Sequence, residues 1–147
     1  ASSQVLAQDL DKGYAALEAG DYETGMKELR PLAEQGDHRV QGTVGMMYSN
    51  GWGVPQDDIE AAKWWKLSAE QGNFMAQFLL GESFREGTGV PQDYQTAHMW
   101  FNIAIANGAK DATVARDLTE SKMTPTAIEE AQRRARECMG SDYQNCD

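Results

Sequence analysis

A run of seven residues returns in this chain after a step of 36. Gly51-Trp52-Gly53-Val54-Pro55-Gln56-Asp57 comes back as Gly87-Thr88-Gly89-Val90-Pro91-Gln92-Asp93. The agreement extends upstream, where Gln41, Gly45 and Tyr48 align with Gln77, Gly81 and Phe84. It extends downstream, where Ala61, Trp64, Trp65 and Gly72 align with Ala97, Trp100, Phe101 and Gly108. One more step back sets Asp21, Ala33, Glu34, Gln35 and Gly36 under Asp57, Ala69, Glu70, Gln71 and Gly72. Self-similarity at a period of roughly 20–50 residues is the signature of a stacked array, in which each unit buries its apolar face on the next.

Each unit reads as two helices. Between His38 and Asn50, the residues Val40, Val44, Met47 and Tyr48 fall at helical spacing. Gly51 stops that helix, because glycine takes the left-handed conformation without steric cost. After the turn, Asp57 is the N-cap expected for the second helix, with Glu60 three residues on completing a capping box. That helix runs to about Gln71 and ends at Gly72, with Ala61, Trp64 and Trp65 on its buried side. The next unit repeats the scheme from Phe74 to Glu86 and from Asp93 to Asn107. The first unit runs from Gln4 to Ala19, turns at Gly20-Asp21-Tyr22 and continues to Gln35, where Pro31 predicts a kink or a tightened last turn.

Past Gly108 the pattern decays. Thr124 is the N-cap expected for a last helix to about Cys138, with Pro125 in its first turn. Glu129, Glu130, Arg133, Arg134 and Arg136 give it the polar face of a terminal cap. The chain thus divides into units at about 4–36, 37–72 and 73–108, a cap at 109–138 and a tail at 139–147, all within one domain. The expected fold is all-α, a solenoid of about three helix-turn-helix units closed by a capping helix.

The formal charge of −10 makes nucleic acid and anionic membrane poor partners. No apolar run approaches the roughly 18 residues of a membrane span. The sequence begins Ala1-Ser2-Ser3-Gln4, as a chain does after signal cleavage or trimming. Cys138 and Cys146 are eight apart, with turn-prone Gly140, Ser141 and Asp142 between them. This even pair is expected to form a disulfide in an oxidising compartment, the alternative being two free thiols in a cytosolic tail.

Nothing in the sequence points to a reaction. His38 and His98 lie in different units, and no Cys/His cluster has zinc spacing. The Gly51–Gly53 and Gly87–Gly89 turns follow helices and lack the Lys-Ser/Thr of a phosphate loop. No catalytic residue, cofactor or metal is expected. Trp64 and Trp100 recur with the repeat and are assigned to the core. Trp52, opposite Thr88, is not demanded by the repeat; it either leans on a neighbouring loop or binds.

These residues resemble the Sel-one-like repeat (SLR) family, relatives of the tetratricopeptide repeat. The resemblance rests on Ala76, Leu80-Gly81, Phe84, Gly87-Thr88-Gly89-Val90, Asp93, Ala97, Trp100 and Gly108, and covers about residues 5–138. The first unit, through Gly13 and Gly20-Asp21-Tyr22, is closer to a tetratricopeptide unit. The stretch from Met123 to Cys146 is similar to the ending of exported bacterial members. The resemblance implies a right-handed α/α superhelix that binds protein partners as an adaptor, here in the periplasm or outside the cell.

In such a solenoid the first helix of each unit lines the concave face. Gly13, Gly45 and Gly81 are assigned to close helix crossings, with Tyr48 and Phe84 packed inward. That leaves Tyr14, Leu17 and Glu18, then Arg39, Met46 and Asn50, then Met75, Phe78, Glu82 and Arg85 for a peptide-binding groove. Tyr14, Met46 and Phe78 would be anchors; Arg39, Asn50 and Arg85 would hold carboxylates or peptide carbonyls. The leading expectation is a non-catalytic adaptor or regulator of the bacterial envelope, monomeric or weakly dimeric. The alternatives are a cell-wall-directed hydrolase or enzyme accessory, and a self-associating structural module.

Overall fold

The computed structural model describes residues 2–147. It contains α1 (Ser3–Glu18), α2 (Tyr22–Glu34), α3 (His38–Asn50), α4 (Asp58–Ala69), α5 (Phe74–Glu86), α6 (Tyr94–Ala106), α7 (Ala112–Glu120) and α8 (Pro125–Gly140), with no strand among the described residues. Each of α1 to α7 packs on its neighbours in sequence, so first helices α1, α3, α5 and α7 alternate with second helices α2, α4 and α6. This is an α solenoid.

Local chemistry sets the helix boundaries. The carboxylates of Asp21, Asp37, Asp57 and Asp93 accept N–H groups of the first turns of α2, α3, α4 and α6, and Asn73 and Thr124 do the same for α5 and α8. Gly51 and Gly87 end α3 and α5 in the left-handed region, at φ 68° and 73°. The capping box expected at Asp57 is half formed. The Glu60 carboxylate turns to Lys63, 2.8 Å away. The Asp57 N–H that it would have accepted donates to the Tyr48 carbonyl at 2.9 Å, as Asp93 does to Phe84 at 2.8 Å. This bond closes each loop back onto its own first helix. α2 continues through Pro31 and finishes in a tightened turn, with the Gly36 N–H on the Ala33 carbonyl at 3.0 Å.

The helix pairs lock by one recurring contact. A Cβ on Gly13, Gly45 or Gly81 would come within 2.6 Å of Leu29, Trp65 or Phe101 respectively. Positions 29, 65 and 101 are themselves 36 apart, so a glycine on each first helix receives a large side chain from its second helix. Successive units are tied by a buried relay. Gln41 Nε2 donates to the Ala33 carbonyl at 3.1 Å and Gln77 Nε2 to the Ala69 carbonyl at 3.0 Å. Gln71 and Asn107, again 36 apart, donate to the side-chain oxygens of Gln41 and Gln77 at 2.7 and 2.9 Å. Buried amides with both ends satisfied fix the register between units without an orphaned polar group.

The C-terminal region differs from the single capping helix expected. It holds two helices, α7 and α8, and α8 packs on α6. α7 stands where a fourth unit would begin, with Ala112 buried in the place of Ala76. Asp117 occupies the place of Gly81. A side chain there replaces the glycine that admits a second helix's side chain in the earlier units, and α8 packs on α6. The tail then folds back over the second and third units. Tyr143 lies against Gly72 and its hydroxyl accepts from Asn107 at 2.9 Å, while Asp147 meets Lys66 at 2.8 Å.

Cys138 and Cys146 are joined in a disulfide, and both sulfurs' residues are buried in the main core. The bond therefore holds the returning tail on the solenoid as well as closing a small loop. Reduction is expected to lower stability by about 2 kcal/mol, chiefly through the freed chain entropy of the tail. Alkylation and intact mass should show no free thiol before reduction and two after it. Two alkylated thiols in non-reduced protein would contradict the bond.

Candidate binding face

The repeat register groups the residues on the more open side of each first helix, of which Tyr14, Leu79 and Ala115 still touch the core. On α3 the turn-by-turn set is Arg39, Thr43, Met46 and Asn50, all exposed or half-exposed. Stepping 36 residues on gives Met75, Leu79, Glu82 and Glu86 on α5, then Asp111, Ala115, Leu118 and Lys122 on and around α7. Allowing for the shorter first turn, α1 contributes Ala7, Asp11, Tyr14 and Glu18. One row across the face is thus Tyr14, Met46, Glu82 and Leu118. Met46, Met75 and Leu118 are 39%, 52% and 59% exposed. The Tyr14 hydroxyl lies 3.1 Å from Thr43 Oγ1, which joins α1 to α3 along this face.

Seven of the ten groove residues expected from the sequence fall on this face: Tyr14, Glu18, Arg39, Met46, Asn50, Met75 and Glu82. Three sit one helical position off it. Leu17 packs over Gly25 of α2. Phe78 tilts against Phe101, with ring centroids 6.0 Å apart. Arg85 holds the same register position as Leu17, but its guanidinium reaches back to Glu82 and Glu86 on the face. A residue step turns an α-helix by about 100°, so one position separates a free face from a packed seam. Sequence reasoning missed Thr43, Leu79 and the contribution of α7. Thr43 and Leu79 could have been found by stepping Met75 and Arg39 one turn along their helices.

The two arginines at the face are already engaged. Arg39 holds Asp37 at 3.2 Å, and Asp37 is also the N-cap of α3. Burial works against the Asp37 charge, but bonds from the Arg39 side chain and the Arg39 and Val40 N–H groups outweigh it and hold its carboxyl below the usual range. Arg85 grips Glu82 with two bonds at 3.0 and 2.6 Å and reaches Glu86 at 2.7 Å. The Glu82 bonds raise the Arg85 pKa above its ordinary value, so the guanidinium stays charged and held.

Other residues singled out in the sequence are structural. Trp64 and Trp100 are in the core. Trp52 stacks on Tyr22, with ring centroids 5.0 Å apart and planes 8° from parallel. Where Thr88 replaces Trp52, Asp58 replaces Tyr22, so partners change together across the repeat. His98 is fully buried, its Nε2 2.7 Å from Glu120 and its Nδ1 3.0 Å from Asn102. This imidazole–carboxylate contact fastens α7 to α6. Among the described residues no cluster of three or more His, Cys, Asp or Glu side chains is placed to hold a metal ion. No described helix is long and apolar enough to cross a membrane.

A solenoid of paired helices with an uncovered first-helix face is the architecture of a protein-interaction repeat. Residues 44–73 and 74–108 match the Sel1 repeat. The chain thus carries two Sel1 repeats within an SLR-like fold. It is similar to the crystal structure of a protective antigen present in uropathogenic Escherichia coli strains that displays an SLR fold. That match has a TM-score of 0.86 and 27% identity, and covers 94% of this chain and 31% of the antigen. It is also similar to the crystal structure of a Sel1 repeat protein from Oxalobacter formigenes, with a TM-score of 0.69 and 30% identity over 85% of this chain and 54% of the other. The chain thus spans about a third and about half of the lengths of these two proteins. A sequence search among curated proteins finds no match. Sel1-repeat solenoids generally mediate protein–protein interaction and are generally non-catalytic.

Proposed function

We propose that this chain is a non-catalytic adaptor or regulator of the bacterial cell envelope that binds a protein or peptide through the concave face of its first helices. The observation that carries this reading is the set of exposed apolar side chains, Met46 on α3, Met75 on α5 and Leu118 on α7, on the open side of the first helices. Methionine and leucine adapt to a partner's surface at little cost in conformation. A periplasmic or secreted location is supported by the buried Cys138–Cys146 disulfide and by the resemblance to a bacterial antigen.

Self-association is a second reading with an observation of its own: Val114 and Leu118 are exposed on α7, where no second helix packs as α6 does on α5. The hydrolase alternative gains no such support, because the His98–Glu120 contact is enclosed between helices.

Replacing Met46, Met75 and Leu118 together with alanine is expected to weaken partner capture by about 2 kcal/mol, roughly 30-fold in Kd, with little change in the melt. Replacing Ile59 and Leu67, which are equally exposed on α4, should leave capture intact. The opposite pattern would move the site to the outer layer, and concentration-dependent sedimentation abolished by the Leu118 change would favour self-association.

A further inference from the structure

Which partner chemistry suits this face follows from how its charges are spent. The sequence suggests that Arg39 and Arg85 receive a partner's carboxylates, but both guanidinium groups are held by carboxylates of the chain itself. An acidic partner would share each guanidinium with a carboxylate already beside it and meet that carboxylate's repulsion. The carboxylates are in the reverse position. Asp11 and Glu18 on α1 and Asp111 beside α7 make no ion pair among the described residues. Glu82 and Glu86 share the one cation Arg85, which leaves that cluster with net negative charge. Lys122 is the one cation of the face without an ion pair among the described residues. The free face thus combines exposed thioether and leucine side chains with an excess of available carboxylate, within a chain of formal charge −10.

We propose that the occupant of this face is a cationic peptide segment, rich in lysine or arginine, whose apolar side chains seat on Met46, Met75 and Leu118. This rests on the reading of the face as the binding surface and adds the partner's charge. The partner's cations meet Glu18 and Asp11 on α1, Glu86 on α5 and Asp111 beside α7, around the apolar side chains. Rim charges of this kind act mainly on encounter and selectivity, so binding weakens with salt.

The test uses a random peptide library displayed on phage, selected against the full chain, and synthetic copies of the selected peptides. The expected result is enrichment of Lys and Arg together with apolar residues. Affinity for those peptides should fall about tenfold or more in Glu18→Lys/Glu86→Lys, and should fall with added sodium chloride over a comparable range. It should also fall in Met46→Ala/Leu118→Ala, which places the peptide on the face. Neutral or acidic peptides that bind the face, lost in Met46→Ala/Leu118→Ala but indifferent to Glu18→Lys/Glu86→Lys, would overturn the charge assignment and leave the face standing. Peptides indifferent to both variants, or no selected peptide at all, would overturn both. Far-ultraviolet circular dichroism of each variant confirms that the fold is retained.

Discussion

Gly89→Val is expected to destabilise the protein by about 4 kcal/mol, through two costs that add. Gly89 has φ +74°, a region that a β-branched residue enters only with strain. Its Cβ would also overlap the carbonyl oxygen of Asp58 and stand 3.1 Å from the Ile59 nitrogen. Both atoms belong to the first turn of α4, so the obstacle is backbone and cannot swing aside. Gly53 stands in the same relation to Tyr22, one repeat earlier, which shows that the contact belongs to the unit. Gly108 also has positive φ, at +113°, but nothing lies within 4 Å of its Cβ position. Gly108→Val should therefore show the strain alone, about 1–2 kcal/mol. Urea unfolding of the two variants separates the terms. Equal midpoints for both would mean that the loop does not press on the preceding unit.

The second large effect is expected at a helix crossing. Gly81→Leu should cost about 3 kcal/mol or more, because the new side chain must displace a ring that has nowhere to go. Phe101 is fully buried among Ala97, Ala104 and Ala112, with Phe78 beside it. Gly42, a helical glycine one repeat before Phe78, is the contrast. A Cβ there meets Ser68 Oγ at 3.6 Å, an ordinary contact. Gly42→Ala should stabilise by about 0.5–1 kcal/mol through the reduced freedom of the unfolded chain. Thermal melts of both variants, read beside the parent, would contradict this packing scheme if Gly81→Leu melted with the parent or Gly42→Ala melted far below it.

The helices and most of their ends were legible because the repeat states each signal twice. Asp57 and Asp93 cap, Gly51 and Gly87 stop, and Gly45 and Gly81 admit Trp65 and Phe101, so each assignment carried its own duplicate. α7 was not legible, for the same reason in reverse. Of the landmarks of a first helix it keeps Ala112 and replaces Gly81 with Asp117 and Phe84 with Glu120. Its burial is secured by a contact outside the repeat, His98 with Glu120. The open side of the first helices was legible in outline. Tyr14, Met46 and Met75 lie on it, whereas Leu17 and Phe78 sit one position away, because sequence spacing alone does not fix helix rotation to within a residue. The pairing of the face's charges was not legible. Arg39 and Arg85 look available in a sequence, and only the placed carboxylates of Asp37, Glu82 and Glu86 show that they are taken.

Site-specific photo-crosslinking tests the central claim most directly. A benzophenone side chain is placed at Met46, on the free face of α3, and separately at Leu67, comparably exposed on α4. Illumination in cells or a native lysate of the source organism should give a discrete adduct from position 46 and none from position 67. A discrete adduct from position 67, with position 46 silent, would contradict the assignment of binding to the first-helix face.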